Sequence, residues 1–460
     1  MGGSDLSWLS AAELGALYRR RELTPVEVVH HVFQRMEETE PALNAFVHRD
    51  EPGALAAAEA AEERFRAGDG GPPMLGIPVS VKDLIDVAGM PCRYGSLALS
   101  YNVPAEDSPS VGRLRAAGAV IVGKTTTSEF GLRGFTESRV HGLTRNPWDL
   151  ARTPGGSSGG AAASVAAGVT PVALGTDGGG SIRTPSALTG LVGIKAQFGR
   201  IAVFPPSATP TIAHVGPMAR TAVDAALLLA AAAGPDLRDW TSLLPSLSTF
   251  EGDLRKLRVA FSPTLGFARV APAVAASVSA AVEKLAGRFA AIETVDTVCP
   301  DAAWIMAGEF VAGVDARVRE LGAPLDILDP PTARAVEGFR ARDGSWLSSL
   351  QRARFAHRET LRAFFERFDV LLTPTAPVSA WPVETAVPPG YEDAISWSYF
   401  TYPFNLSGQP AASVPCGLDD AGLPIGLQIV VSPQREALLT TLVAAAEETL
   451  GPIGRVPPLA

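Results

Sequence analysis

Between residues 77 and 233 short apolar runs alternate with helix-forming stretches, and loops rich in Gly, Ser and Pro separate them. Residues 77–81 and 119–122 have strand texture, whereas 110–117 and 161–167 have helix texture. A parallel pair of strands needs a crossover, usually a helix, so this alternation implies a largely parallel sheet covered on both faces. Strand texture returns at 370–372, 411–414 and 425–430, before a final helix from about residue 436. Ahead of it, Leu6, Leu9, Leu14 and Leu17 recur at helical spacing, Thr24-Pro25 supplies an N-cap with Pro at the first helical position, and helices run to about residue 38 and over 54–65. Residues 235–368 differ, with Ala-rich and Arg-rich helical patterns at 274–285 and 348–368. No repeat, low-complexity tail or dividing linker stands out. The expectation is one α/β domain with a central mixed, mostly parallel β-sheet flanked by helices.

Composition removes several function classes. Of 460 residues 47% are hydrophobic and 19% charged, which excludes intrinsic disorder. The net charge of −9 gives no electrostatic reason to seek phosphate backbones, so no nucleic acid partner is expected. Cys92, Cys299 and Cys416 are odd in number and far apart, so they make neither a disulfide framework nor a CxxC zinc site. His30 and His31 are adjacent and no HxxxH pair exists, so no metal is expected. The longest apolar run, about 225–233, is far short of the roughly 20 residues that span a bilayer. Residues 1–10 carry Asp5 and no basic region, unlike a signal peptide. The plain reading is a cytoplasmic protein.

Three loop and strand-end motifs carry chemistry, once a misleading one is set aside. Residues 118–125 fit the phosphate-loop pattern G-x4-G-K-[ST], but 119–122 have strand texture and a strand commits its N–H groups to its ladder. Gly155-Gly156-Ser157-Ser158-Gly159-Gly160 abuts the helix former 161–167, so free N–H groups and a positive dipole end converge there. It also fits G-x-S-x-G, yet no strand precedes it, as a nucleophile elbow requires. The second loop runs Gly175-Thr176-Asp177-Gly178-Gly179-Gly180-Ser181-Ile182-Arg183. Its three glycines let successive N–H groups aim at one spot beside a serine hydroxyl, where each oxyanion donor is worth about 10²–10³ in rate. Asp177 and Arg183 could fix the loop as a charge-assisted pair. Lys82 ends the third motif, residues 77–83. Alternation alone would expose it, but a covered sheet can bury it. Lowering its pKa from about 10.4 to about 7–8 takes roughly 3–4 kcal/mol of desolvation and makes it a base.

Together these motifs resemble the amidase signature family, with 75 residues from Lys82 to Ser157 and 24 from Ser157 to Ser181. Gly76-Ile77-Pro78-Val79, residues 117–124, His214-Val215-Gly216-Pro217-Met218-Ala219-Arg220 and Gly422-Leu423-Pro424-Ile425-Gly426-Leu427-Gln428 fit as well. The resemblance is strongest over 74–233 and 369–431 and weakest through 235–368. It implies a single domain over 1–460: a catalytic core at 74–233, a helical substrate-side insertion at 235–368, and a return to the sheet at 369–460. It further implies a Ser–cis-Ser–Lys triad with Ser181 as nucleophile, Ser157 bridging and Lys82 as base. Amides of Gly178, Gly179, Gly180 and Ser181 would form the oxyanion hole, supported by Ser158, Thr176, Asp177 and Arg183. No cofactor is implied. Leu84, Ala196 and Ala213 depart from common family texture without touching the triad, which bears on specificity.

The implied function is hydrolysis of small-molecule amides, with carbamates and aryl esters open to the same acyl chemistry, by a monomer or homodimer. Tyr94, Phe130, Phe135, Trp397 and Phe400 suggest an apolar or aryl substrate. One alternative is the glutaminase subunit of a tRNA-dependent amidotransferase, although Ser398 stands where such a subunit would carry an Asp. Another is a Ser-His-Asp esterase using His141 or His214.

Overall fold

Residues 6–244, 250–392, 395 and 397–456 are described by a computed structural model; Asp5, on which the reading of the start leans, lies outside them. The N-terminal helices form where their caps dictate. Helix α1 (Ala11–Arg20) opens on Ser10 and α2 (Pro25–Leu43) on Thr24, each in a capping box with a Glu three residues on. Helix α2 outruns its expected end near residue 38 and stops at Asn44, which takes the left-handed conformation (φ 50°). The next helix, α3, spans Glu51–Arg66.

Eleven strands form one sheet among the described residues. They are β1 (Phe46–Arg49), β2 (Pro78–Lys82), β3 (Val120–Thr125), β4 (Val172–Asp177), β5 (Val192–Lys195), β6 (His214–Ala219), β7 (Val259–Phe261), β8 (Ile292–Thr294), β9 (Val370–Pro374), β10 (Ala411–Leu418) and β11 (Pro424–Val431). Their order is β1-β3-β2-β4-β6-β5-β10-β11-β9-β7-β8. The sheet is mixed, as expected, but the parallel share is smaller than the texture suggests. Only β3–β2, β2–β4, β9–β7 and β7–β8 pair parallel. Strand β6 enters antiparallel between β4 and β5, and β10–β11 is a hairpin. Apolar texture reports burial on both faces, and burial carries no sign of strand direction.

Helices cover both faces. On one, α7 (Ala222–Ala232), α8 (Pro272–Leu285) and α13 (Glu436–Leu450) bury Leu228, Val278 and Leu442 against Leu174, Ile194 and Leu427. On the other, α5 (Gly159–Ala166) sets Ala162 and Val165 against Ala173 and Met218, and α6 (Arg183–Thr189) lies beside β10 and β11. Helix α4 (Pro109–Ala116) packs on α7. The stretch 235–368 is more than the helical insertion expected, because it gives the sheet β7 and β8. Its helices α9 (Ala303–Glu320), α10 (Pro330–Arg340) and α11 (Gly344–Arg367) form a further layer, joined to the body through short α12 (Tyr402–Ser407). No helix among the described residues is long and apolar enough to cross a membrane. No group of three or more His, Cys, Asp or Glu among them could hold a metal ion.

Candidate active site

Lys82 and Asp177 stand at the C-terminal ends of neighbouring parallel strands, where α/β sheets open into crevices. The Lys82 side chain is fully buried. Its Nζ lies 2.8 Å from each of three hydroxyl oxygens: Ser157 Oγ, Ser158 Oγ and Thr176 Oγ1. Burial pushes its pKa well below that of a free lysine, opposed only by the charge of Asp177. The Ser158 hydroxyl donates to the Thr176 carbonyl at 3.0 Å, so it meets Lys82 as an acceptor. The peptide bond between Gly156 and Ser157 is cis.

Asp177 is engaged by another partner. Arg183, fully buried, forks onto it with Nε–Oδ2 and Nη2–Oδ1 both at 2.9 Å. Burial alone would raise the Asp177 carboxyl, but Arg183, Lys195 and Asn405 together hold it well below the usual range. The other Arg183 donors reach the Thr401 carbonyl (3.0 Å), Gln428 Oε1 (2.8 Å) and Asn405 Oδ1 (2.6 Å). The glycine loop is thereby anchored to α12 with its N-cap Thr401, and to β11.

Within that loop Gly180 adopts φ 132°, and a Cβ there would lie 2.3 Å from Thr401 Oγ1, so only glycine fits. Of the four amides expected to form an oxyanion hole, that of Gly180 is a correction. Its N–H donates to Asp177 Oδ1 at 2.7 Å and is not free. The amides of Gly178, Gly179 and Ser181 donate to no partner among the described residues. Ser181 lines a cavity of about 30 Å³ with Gly179, Gly180, Trp397 and Ser398. Ser157, Thr176 and Gly178 line an adjoining one of about 40 Å³.

The expected substrate aromatics divide. Tyr94 and Phe130 line the Ser157 cavity, and Trp397 lines the Ser181 cavity. Phe135 and Phe400 line neither. Phe135 packs with Leu188, Trp381 and Trp397, and Phe400 is enclosed with Leu371 and Phe404, because both rings fall on core-facing positions. Leu84 and Ala213, noted as departures, both line the Ser157 cavity. Two residues unforeseen in the sequence, Met306 and Phe310 of α9, reach the site. The Phe310 ring lines both cavities and lies so close that a Cβ on Gly178 would be 2.7 Å from it. Asn405, Thr401 and Gln428 also serve the site through Arg183, and of these only Gln428, a polar residue amid the apolar run 424–431, carries a signal in the sequence.

The two histidines of the esterase alternative are engaged elsewhere. His214 Nδ1 donates to the Ile212 carbonyl (2.8 Å) and Nε2 lies 3.3 Å from Lys195 Nζ. His141 Nε2 lies 3.0 Å from Asp83 Oδ2, and both side chains are buried. Neither histidine hydrogen-bonds to Ser181, so a Ser-His-Asp relay has no geometry here.

The Amidase family model matches residues 27–440. The chain is 37% identical to one of the subunits of the glutamyl-tRNA(Gln) amidotransferase of Acidothermus cellulolyticus, over 96% of this chain and 95% of that one. It is 34% identical to an acylamidase of Rhodococcus erythropolis, over 97% and 96%. The solved structure of a bacterial aryl acylamidase of the amidase signature family superposes with a TM-score of 0.90 at 30% identity, covering 97% of each chain. With that match of sequence and fold over nearly its whole length, the chain belongs to the amidase signature family, hydrolases of amide C–N bonds.

Proposed function

We propose that this chain hydrolyses small-molecule amides through an acyl-enzyme on Ser181, with neutral Lys82 as base and Ser157 as relay. The observation that carries the reading is the Lys82 amine, fully buried and met by three hydroxyls, with no carboxylate paired to it among the described residues. A neutral amine has two N–H donors and one lone pair. Ser158 and Thr176 take the donors, and the Ser157 hydroxyl gives its proton to the lone pair. Ser157 then draws the proton of Ser181 as Ser181 Oγ attacks the substrate carbonyl. The oxyanion is received by the free amides of the glycine loop. As the C–N bond breaks, the proton passes through Ser157 to the leaving nitrogen, and water then cleaves the ester on Ser181. Carbamates and aryl esters present the same acyl carbon and fall within this chemistry.

The decisive test is covalent. A fluorophosphonate should label Ser181, and Lys82→Ala or Ser181→Ala should abolish both labelling and amide turnover. His141→Ala and His214→Ala should keep most activity. Loss through either histidine with Lys82→Ala still active would refute the assignment.

A second reading, glutaminase action within a complex, is favoured by the amidotransferase similarity. Against it, among the described residues the Ser181 cavity offers Ser398 and the cation Arg133 and no carboxylate to a glutamine ammonium. Turnover of simple amides by the isolated chain, as monomer or homodimer and without glutaminase activity, separates the two.

A further inference from the structure

Gly178 is a glycine for a reason that its own φ does not supply. Neither it nor Gly179 lies in the left-handed region, so φ excludes a side chain at neither. What excludes one is the Phe310 ring, which points end-on at the loop. A Cβ on Gly178 would lie 2.7 Å from its Cζ and 3.4 Å from both Cε1 and Cε2, and one on Gly179 3.3 Å from Cε2. The space of a loop side chain is thus filled from α9. The ring is also held in place, buried with Ile212, Met306, Leu350 and Tyr402. Two close approaches bracket it along the helix. A Cβ on Gly308 would run into Leu350 of α11, and one on Gly313 into the carbonyl of Ala208. Close packing on both sides keeps α9 from sliding to withdraw the ring.

Acyl transfer makes this position matter. Gly178 and Gly179 carry amides free to receive the oxyanion, and the ring lines the Ser181 and Ser157 cavities alike. It therefore borders the reacting centre from both sides. We infer that Phe310 is a specificity-determining residue, the end of its ring rejecting substrates branched within two atoms of the reacting carbon. This rests on the acyl-enzyme reading above. Selection then comes from a clash with the wrong substrate, not from a contact with the right one.

The test uses the full chain and two reagents, dimethyl and diisopropyl phosphorofluoridate, which differ only in branching near phosphorus. Ser181 Oγ bonds to phosphorus, fluoride leaves with the electron pair of the P–F bond, and the serine proton passes through Ser157 to Lys82. The labelling rate constant of Ser181 is followed by mass spectrometry, and the fold by near-ultraviolet circular dichroism. The ratio of dimethyl to diisopropyl rates should fall about tenfold or more in Phe310→Ala, and about threefold or more in Phe310→Leu. Leucine withdraws only the end of the ring, so that variant decides where Phe310→Ala does not fold. For amides of one amine, the kcat/KM ratio of acetyl to 2,2-dimethylpropanoyl should fall in the same direction. Gly178→Ala should slow both reagents about tenfold, and adding Phe310→Leu should recover about threefold or more. An unchanged ratio in a folded Phe310 variant that still labels on Ser181 overturns the inference, as does equal slowing by Gly178→Ala in both backgrounds; either leaves the hydrolase intact. Absence of label on Ser181 in the unaltered chain removes the acyl-enzyme reading and this inference with it.

Discussion

Lys82 and Lys124 lie on adjacent parallel strands, Lys82 opposite Thr125 and Lys124 opposite Val81, and both are fully buried. Their surroundings differ completely. Lys82 meets only hydroxyls, whereas Lys124 Nζ lies 3.3 Å from Asp83 Oδ1. Burial pushes both lysines down, but at Lys124 the neighbouring Cys92 and Asp83 outweigh it and hold the pKa above the ordinary value. Desolvation alone therefore does not make a base of a buried lysine. The difference lies in the nearest carboxylate: Asp83 is paired with Lys124, whereas Asp177, one residue beyond Thr176, is occupied by Arg183.

Exchanging each lysine for methionine should separate the roles. Lys82→Met should lower kcat by about 10²–10⁴, the usual contribution of a positioned base, with the fold intact by near-ultraviolet circular dichroism. Lys124→Met should instead act on stability. It leaves the buried Asp83 with only His141 Nε2 and the Arg93 N–H as partners among the described residues, so the loss in denaturant unfolding should reach at most about 3–5 kcal/mol, that of a broken buried ion pair. Adding Asp83→Asn to Lys124→Met should recover part of that loss, since the buried carboxylate is gone while His141 loses its charged partner. A large stability loss in Lys82→Met with activity retained per folded molecule would erase the distinction.

This contrast was only partly legible in the sequence. Lys82, Ser157 and Ser181 could be read because each stands at a strand end or in a glycine loop before a helix, where side chains and free N–H groups must converge. Lys124 stood out only through a misleading phosphate-loop pattern, and its place in β3 explains why that pattern is inert. Patterning tells which face of a strand is covered but not what covers it, so Phe310 and Met306, more than a hundred residues beyond the glycine loop, were invisible. For the same reason Phe135 and Phe400 passed for pocket residues. The engagement of the Gly180 amide by Asp177 is a property of the folded loop, which no spacing reveals.

Giving Lys82 the carboxylate it lacks would convert it toward Lys124. Thr176→Asp places an acid in hydrogen-bond reach of Nζ and should raise the lysine pKa. With Lys82 as the neutral base proposed above, the acid limb of kcat/KM should move to higher pH. Activity at pH 7 should fall about tenfold for each unit of upward movement, and return as the pH is raised. In the unaltered chain the same limb should lie well below the pKa of a free lysine.

Ser158→Ala probes the same site with the smallest change and the opposite sign. Ser158 accepts from Lys82 Nζ and donates its own hydrogen bond to the Thr176 carbonyl. Acceptors bind an ammonium more strongly than a neutral amine, so this hydroxyl favours the charged form of Lys82. Its removal should shift the acid limb to lower pH. A hydrogen bond is worth about 0.5–1.5 kcal/mol net, so the shift should be within roughly one pH unit and the fall in kcat within about tenfold. The direction carries more than the size. If Ser158→Ala and Thr176→Asp move the limb the same way, the group titrating in the profile is not Lys82, and the hydroxyl cage around it serves packing rather than proton transfer.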